Sequence, residues 1–174
     1  MKRIAIIGGE STGKTTLAIA LSAHYSATWI PEFAREYLMR LNRPYVEEDL
    51  LWIAKGQLHT MHQSEATQPE FIFYDTDLQV IQVWSESKYQ RCDAFILKEI
   101  ARSNIDAFIV TSPDIEWTFD PLREHPLPSQ RSYFFRWYIE MVSSQQRPFC
   151  IVRGTHEQRL QQACLFLESI NEPR

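Results

Sequence analysis

Cysteine is scarce and unpaired in this chain. Cys92, Cys150 and Cys164 are the only three, and no two stand at C-x-x-C spacing. An odd count without that spacing excludes a disulfide framework and reads as reduced thiols in a cytoplasmic protein. Cys150 and Cys164 read as small buried hydrophobes. Long apolar runs are missing too. None reaches the roughly 18 residues of a membrane helix, so no membrane association is expected. The chain passes from Met1 straight into the run Arg3–Ile7, and no signal peptide is expected. No long Lys/Arg run occurs, and the formal net charge is −4, which argues against duplex nucleic acid as a ligand. There is no internal repeat and no low-complexity stretch. What is present is a core-forming composition. Of the 174 residues 44% are hydrophobic, and the length fits one domain over residues 1–174. The oligomeric state is left open.

The rest is organised around Gly8-Gly9-Glu10-Ser11-Thr12-Gly13-Lys14-Thr15-Thr16. This stretch fits G-x-x-x-x-G-K-[ST], with Gly8, Gly13, Lys14 and Thr15 at the fixed positions. The short apolar run Arg3-Ile-Ala-Ile-Ile7 before it reads as a buried strand. Lys14 to Tyr25 after it carries a helical apolar face with Leu17, Ala18 and Leu21. Strand, glycine-rich turn and helix make a phosphate-binding P-loop. Glycines let successive N–H groups aim inward, and the new helix adds its positive end. Lys14 is expected to reach the β- and γ-phosphates of ATP, and Thr15 to ligate Mg²⁺.

Residues 26–30 read as a second strand, and Pro31 to Leu41 as a helix with proline in its first turn. Asn42-Arg-Pro44 breaks it, and Glu47 to about Ser64 forms a longer helix with an acidic start. Phe71–Asp75 is a third strand, with a helix from about Thr76 to Ser85 and another from Arg91 to Ser103. Asp106–Thr111 is a fourth strand. Residues 112–130 hold Pro113, Pro121, Pro126 and Pro128 and read as a long loop, of the kind that serves as a lid over about 112–132. Arg131–Ser143 is helical, Pro148–Val152 is the fifth strand, and Thr155–Ile170 is the last helix. Short apolar strands alternating with helices imply an α/β fold, a parallel five-stranded sheet with helices on both faces. Ligands of such sheets bind beyond the carboxyl ends of the strands. The P-loop, Glu32, Asp75, the 112–130 loop and Arg153-Gly154 all follow strand ends and are expected on one rim.

Several side chains there carry candidate chemistry. Asp75 ends an apolar strand in the Walker-B manner and is a candidate to hold Mg²⁺; it is also placed to cap the following helix. Asp77 reads either as a cap or as a partner for a substrate hydroxyl. Glu32 sits where a kinase acceptor hydroxyl would lie and is a candidate base, with Asp75 as the alternative, or a glutamate suited to the helix dipole. Arg35 and Glu36 follow one turn on as candidate substrate contacts. Arg123 and Arg131 flank the proline-rich loop, where an arginine closing on the γ-phosphate would neutralise charge. Trp117 and Phe119 could stack on a flat ligand or anchor the loop. Arg153 and Gly154 are placed beside the adenine. His59 and His62 lie three apart with no further ligand, and read as core or solvent-facing residues.

Five segments also follow one another in order: Ile7-Gly-Gly-Glu-Ser-Thr-Gly-Lys-Thr15, Pro31-Glu-Phe-Ala-Arg-Glu-Tyr37, Ile53-Ala-Lys-Gly-Gln57, Tyr74-Asp-Thr-Asp77 and Trp117-Thr-Phe-Asp-Pro-Leu-Arg123. Together they resemble the ribosylnicotinamide kinase domain of the bifunctional NadR-type NAD-biosynthesis proteins, over nearly the whole chain. The resemblance implies ATP-dependent phosphorylation of the 5′-hydroxyl of nicotinamide riboside to nicotinamide mononucleotide. It also implies strand order 2-3-1-4-5 and a mobile lid. By position, Gly13, Lys14 and Thr15 would bind ATP and Mg²⁺, and Asp75 would lie near the metal and the reacting hydroxyl. Trp117, Asp120 and Arg123 would belong to the lid and its substrate contacts. NadR-type proteins carry a nucleotidyltransferase domain with an HxGH-like motif ahead of the kinase. No HxGH occurs here, so adenylyl transfer is not expected from this chain. Nicotinamide riboside is a pyridinium cation, and Glu32, Phe33, Glu36, Tyr37, Trp117 and Asp120 offer the rings and carboxylates that suit one. Two other readings stand beside this one. The acceptor is another nucleoside, a deoxynucleoside or a nucleoside monophosphate, the last with Arg35 and Arg40 as partners. Or the chain is an ATP-binding regulatory module without an acceptor.

Overall fold

Five apolar runs become five strands of one sheet in the computed structural model, which describes residues 1–65 and 69–171. In chain order the elements are β1 (Lys2–Ile7), α1 (Lys14–His24), β2 (Thr28–Ile30), α2 (Phe33–Arg40), α3 (Glu47–Glu65), β3 (Phe71–Asp75), α4 (Leu78–Tyr89), α5 (Ala94–Ala101), β4 (Ala107–Thr111), α6 (Pro128–Ser144), β5 (Phe149–Val152) and α7 (His156–Asn171). The sheet order is β2-β3-β1-β4-β5, and all four pairings are parallel. Order and strand count match the expectation. Ile6 pairs with Asp75 and Ile7 with Val110, so the P-loop leaves β1 between the ends of β3 and β4.

Alternation along the strands feeds two cores. Ala5, Ile7, Ile72, Tyr74, Phe108 and Val110 pack with Phe134, Tyr138 and Val142 of α6 and with Val80 and Val83 of α4. Ile4, Ile6, Phe71, Phe73 and Ile109 pack with Leu17, Ala18 and Leu21 of α1 and with Ala163 and Leu167 of α7. Both faces are covered, which is why these strands read as continuous apolar runs rather than alternating ones. A third cluster joins α2, α3, α4 and α5 through Ala34, Leu50, Ile53, Ile81 and Ile96. Among the described residues no helix is long and apolar enough to cross a membrane.

Helix boundaries differ from expectation for local reasons. α2 starts at Phe33, not Pro31, because Glu32 is extended at φ −65°, ψ 111° and the first helical N–H finds its acceptor on α3. α4 starts at Leu78 because Thr76 has φ +78°, and Asp77 caps it by accepting from Gln79 N at 3.0 Å. It then runs to Tyr89, where Gln90 turns left-handed at φ +59°. α5 is trimmed to Ala94–Ala101 by Asp93, which accepts from Phe95 N at 2.7 Å. α6 opens at Pro128, three residues before Arg131, since proline's fixed φ and missing N–H suit a first helical position. The long loop therefore covers 112–127, and Arg131 belongs to a helix.

Candidate active site

The P-loop backbone carries the strain that glycine removes. Gly8 has φ +147°, and a Cβ there would meet Thr111 Oγ1 at 2.3 Å and Thr111 O at 2.9 Å. Gly13, at φ +80°, is the N-cap of α1, and no side chain caps that end. The first N–H groups of α1 thus stay free for an anion. Thr12 Oγ1 donates to Gly9 O at 2.8 Å, and Lys14 Nζ does so at 3.0 Å. Outside the loop, the buried guanidinium of Arg159 donates to Thr12 O at 2.8 Å, Gly154 O at 2.8 Å and Ser112 O at 3.1 Å, and it pairs with Asp114.

A cavity of about 440 Å³ opens beyond the strand ends, large enough for a small-molecule ligand. Gly8 to Thr16 form one wall, and Glu32, Arg35, Asp75, Arg123 and Arg131 face it from other elements. Asp75 Oδ2 accepts from Thr15 Oγ1 at 2.5 Å, while Oδ1 is buried without a partner. Burial pushes this carboxyl above its ordinary range, against Lys14 and the Thr15 hydroxyl. A buried carboxylate oxygen with no partner beside a threonine hydroxyl is the hard-oxygen donor set that Mg²⁺ takes, and the residues fit that ion. Glu32 lies across the cavity. Burial raises its carboxyl too; Asp75 and Glu10 push the same way, and Lys14 and Arg35 oppose. A carboxylate held above its usual range accepts a proton more readily.

The loop 112–127 is fastened to the P-loop. Glu10 accepts from Glu124 N at 2.9 Å and His125 N at 2.9 Å. Ser11 Oγ accepts from Thr118 N at 3.0 Å. Arg131 donates to Ser11 O at 3.2 Å and Ile115 O at 3.0 Å, and its Nε is buried with no partner. Arg123 donates to Thr118 O within the loop.

Other expected substrate residues do not reach the cavity. Asp77 is buried as the α4 cap, the first of its two readings, and lies outside the cavity lining; burial pushes its carboxyl up to about 7. Glu36 pairs with Arg40 at 2.7 Å on the outer face of α2. Tyr37 donates to Asp49 Oδ1 at 2.8 Å, which turns it toward α3. Asp120 holds Arg35 at 2.7 Å and so stands behind the cavity wall. Trp117 and Phe119 meet edge-on at 6.3 Å outside the lining. Arg153 lies over the Phe135 ring at 5.9 Å, and Gly154 N donates to Asp114 Oδ2 at 2.7 Å, so both sit beyond the cavity's edge. In their place come Trp29, Leu38, Val80, Trp84, Leu122, His125, Phe134 and Tyr138. Val80 with Trp84, and Phe134 with Tyr138, are four apart on α4 and α6, a helical spacing that points both pairs one way.

A family model described as AAA domain, AAA_28, matches residues 3–159. The chain is 25% identical over 159 residues to the trifunctional NAD biosynthesis/regulator protein NadR of Salmonella typhimurium, covering 88% of this chain and 38% of that protein. It therefore spans well under half the length of that relative. A crystal structure of NadR protein in complex with NR superposes with a TM-score of 0.81 at 22% identity, over 99% of this chain and 52% of that one. NadR in complex with NAD and AMP-PNP gives 0.78 at 20% identity, over 99% and 50%. Thymidylate kinase from Candida albicans gives 0.72 at 16% identity, over 97% and 92%. The fold is that of the P-loop kinases.

Proposed function

The chain belongs to the AAA_28 family of AAA domains, and we propose from that premise that it is an ATP-dependent kinase acting on a small nucleoside. The acceptor proposed first is nicotinamide riboside, phosphorylated on its 5′-hydroxyl to give nicotinamide mononucleotide. One observation carries the reading: a single cavity joins the P-loop and Lys14 to Glu32, Asp75 and a wall of aromatic side chains. A phosphate cradle alone would serve any nucleotide-binding protein. A cradle continuous with a carboxylate and aromatic faces has room for an acceptor. Trp29, Trp84, Phe134 and Tyr138 can face a flat ring, and a cation over such a ring gains about 0.5–2 kcal/mol. The 25% identity to NadR, and NadR's binding of NR and AMP-PNP, support the same choice.

The chemistry follows from position. The P-loop N–H groups and Lys14 hold the β- and γ-phosphates, with Gly8 to Thr16 as the ATP site. Arg153 and Gly154, outside the cavity lining, would lie toward the adenine end of the nucleotide. Thr15 and Asp75 would hold Mg²⁺, which would supply positive charge against the phosphates. Glu32 faces the acceptor hydroxyl and takes its proton as the new bond from that oxygen to the γ-phosphorus forms and the bond from the γ-phosphorus to the β–γ bridging oxygen breaks, releasing ADP. Arg123 and the free Nε of Arg131 add positive charge over the transferring group. The loop 112–127 acts as the lid on a single kinase domain. Orientation and charge neutralisation supply most of the rate. A cytoplasmic setting suits the three free thiols.

A nucleoside monophosphate is the second acceptor, carried by Arg35 in the cavity wall. Its pairing with Asp120 leaves less charge for a phosphate, which favours the uncharged hydroxyl end of a nucleoside. ADP release with ATP and Mg²⁺ tests all readings against nicotinamide riboside, nicotinic acid riboside, common nucleosides, monophosphates and no acceptor. Strong stimulation by nicotinamide riboside is expected. A flat panel at the no-acceptor rate refutes the kinase and leaves an ATP-binding regulatory module.

A further inference from the structure

Gln57 is among the most deeply buried polar side chains of the protein, 1% exposed, and it does not line the cavity. Its Oε1 accepts from Phe33 N at 2.8 Å, and its Nε2 donates to Thr76 O at 3.5 Å. Phe33 N is the first helical N–H of α2, one of the groups a helix end leaves without a partner. Thr76 is the left-handed residue between β3 and α4. The two partners fix which way the amide points, since one needs an acceptor and the other offers one. Glu32 directly precedes Phe33, and Asp75 directly precedes Thr76.

We infer that Gln57 is a positioning residue: its one buried amide ties together the two strand-to-helix junctions that carry Glu32 and Asp75, and so sets their spacing across the cavity. Gly56 completes the device. A Cβ there would stand 2.1 Å from Phe33 Cε1, so the absent side chain makes room for the Phe33 ring against α3. Ile53 and Ala54, one turn earlier, are fully buried and hold α3 in place. The segment Ile53–Gln57 thereby has a purpose that touches neither ligand. Among the described residues no other side-chain hydrogen bond links the two junctions to each other: Asp75 is tied instead to Thr15 of the P-loop and Asp77 to its own helix, Thr76 Oγ1 is buried without a partner, and no side chain caps α2 from its own N-cap residue. Were α2 to shift, Glu32 would move relative to Asp75, while the P-loop, built on β1 and α1, would stay.

This inference rests on the kinase reading, and the test separates the two. Acceptor-stimulated turnover is measured for wild type, Gln57→Met, Glu32→Gln and the double variant, with melting temperature and ATP KM for each. Gln57→Met is expected to lower kcat by about 10- to 100-fold, the effect of misplacing a reacting group by about an ångström, with ATP KM within about twofold. Because Gln57 acts through Glu32, adding Gln57→Met to Glu32→Gln should cost less than about threefold more, since residues working as a unit are not additive. Gly56→Ala, which keeps the amide and displaces Phe33, should give the same pattern. Gln57→Glu, which keeps the acceptor for Phe33 N, serves where the methionine variant does not fold, and its loss should be smaller but again absent in the Glu32→Gln background. Full additivity in the cycle overturns the inference, as does a loss confined to ATP KM or to acceptor KM. Wild-type protein with no acceptor-stimulated rate overturns the kinase reading and the inference with it.

Discussion

Replacing Arg159 by methionine isolates what a buried guanidinium does for a phosphate site it never lines. The side chain is 3% exposed and donates to Thr12 O, Ser112 O and Gly154 O while pairing with Asp114. Methionine fills similar space and donates nothing. Thr12 and Ser112 are buried, so two carbonyls lose their donor at about 1–3 kcal/mol each. Asp114 is 37% exposed and regains water, so it adds little. The sum, roughly 2–6 kcal/mol, lowers the melting temperature by roughly 5–20 °C in a protein of this size. The functional effect has a separate cause. In a trans peptide C=O and N–H point in opposite directions. Anchoring Thr12 O on Arg159 therefore turns Gly13 N–H into the loop. Freed from that anchor, the peptide can rotate and one cradle donor is lost. A hydrogen bond to a charged group is worth about 1.5–3 kcal/mol, so ATP should bind roughly 10- to 100-fold more weakly. Thermal melts with and without ATP·Mg²⁺, together with calorimetric titration, measure both effects. Arg159→Lys should recover part of the stability, because one ammonium cannot span three carbonyls. An Arg159→Met protein that melts within about 1 °C of wild type and binds ATP equally well would refute the reasoning.

Lys14→Ala should lose acceptor turnover by about 10³-fold with a modest fall in melting temperature, because among the described residues the ammonium makes one hydrogen bond, to Gly9 O at 3.0 Å, and otherwise offsets the charge of Glu32 and Asp75; steady-state rates and a melt check both. Glu10→Ala removes the acceptor for Glu124 N and His125 N, so hydrogen exchange at these two amides and trypsin cleavage after Arg123 should both accelerate; unchanged exchange would show that Glu10 does not hold the loop. Asp49 accepts from both Arg43 nitrogens, Tyr37 and Val46 N, and the Arg43 guanidinium holds its carboxyl well below the usual range. A depressed carboxylate stabilises the fold above its unfolded value and loses that contribution as pH falls below about 4. Urea midpoints should fall between pH 5 and pH 2 in wild type, and Asp49→Asn should start lower at pH 7 and fall less over that range.

The sheet was legible because its information is local. Each strand is a run of three to six residues with no charge in its middle, and most boundaries carry proline, glycine or aspartate. The errors at helix ends come from the same locality. Pro128 reads as loop when counted with three other prolines, yet as a first helical residue it opens α6. Pro31 reads as helical by the same rule and is not, because Phe33 N finds its acceptor on α3, 24 positions away. Nothing within reach of Pro31 in the sequence records that partner.

The site divides along the same line, and the division is physical. Gly8, Gly13, Lys14 and Thr15 have fixed spacing because consecutive backbone units must wrap one phosphate group, and Asp75 stands at the end of an apolar strand, so both leave a local pattern to be read. Gln57 and Arg159 serve that cradle and its neighbouring carboxylates by binding backbone atoms, in the case of Arg159 a carbonyl 147 positions away. Any residue can supply a backbone carbonyl, so no partner signature appears in the sequence. The sequence points to rings at Phe33 and Tyr37 and, in the loop, at Trp117 and Phe119; Phe119 is indeed 77% exposed. The cavity instead takes Trp29 from β2, Val80 and Trp84 from α4, and Phe134 and Tyr138 from α6. Those rings also belong to core-forming elements, and helical periodicity cannot tell a face that packs on the sheet from one that ends at a cavity. The consequence is a separation of tasks. On the proposed kinase reading, charge over the phosphates would come partly from the loop 112–127, whereas the shape of the acceptor site would be set by packed strands and helices. Changes in Arg123 or Glu10 should therefore alter rate and leave the ranking of acceptors intact, while Trp84→Ala should reorder the acceptors and spare ATP affinity. A reordered panel in the loop variants, with an unchanged one in Trp84→Ala, would place acceptor choice in the loop after all.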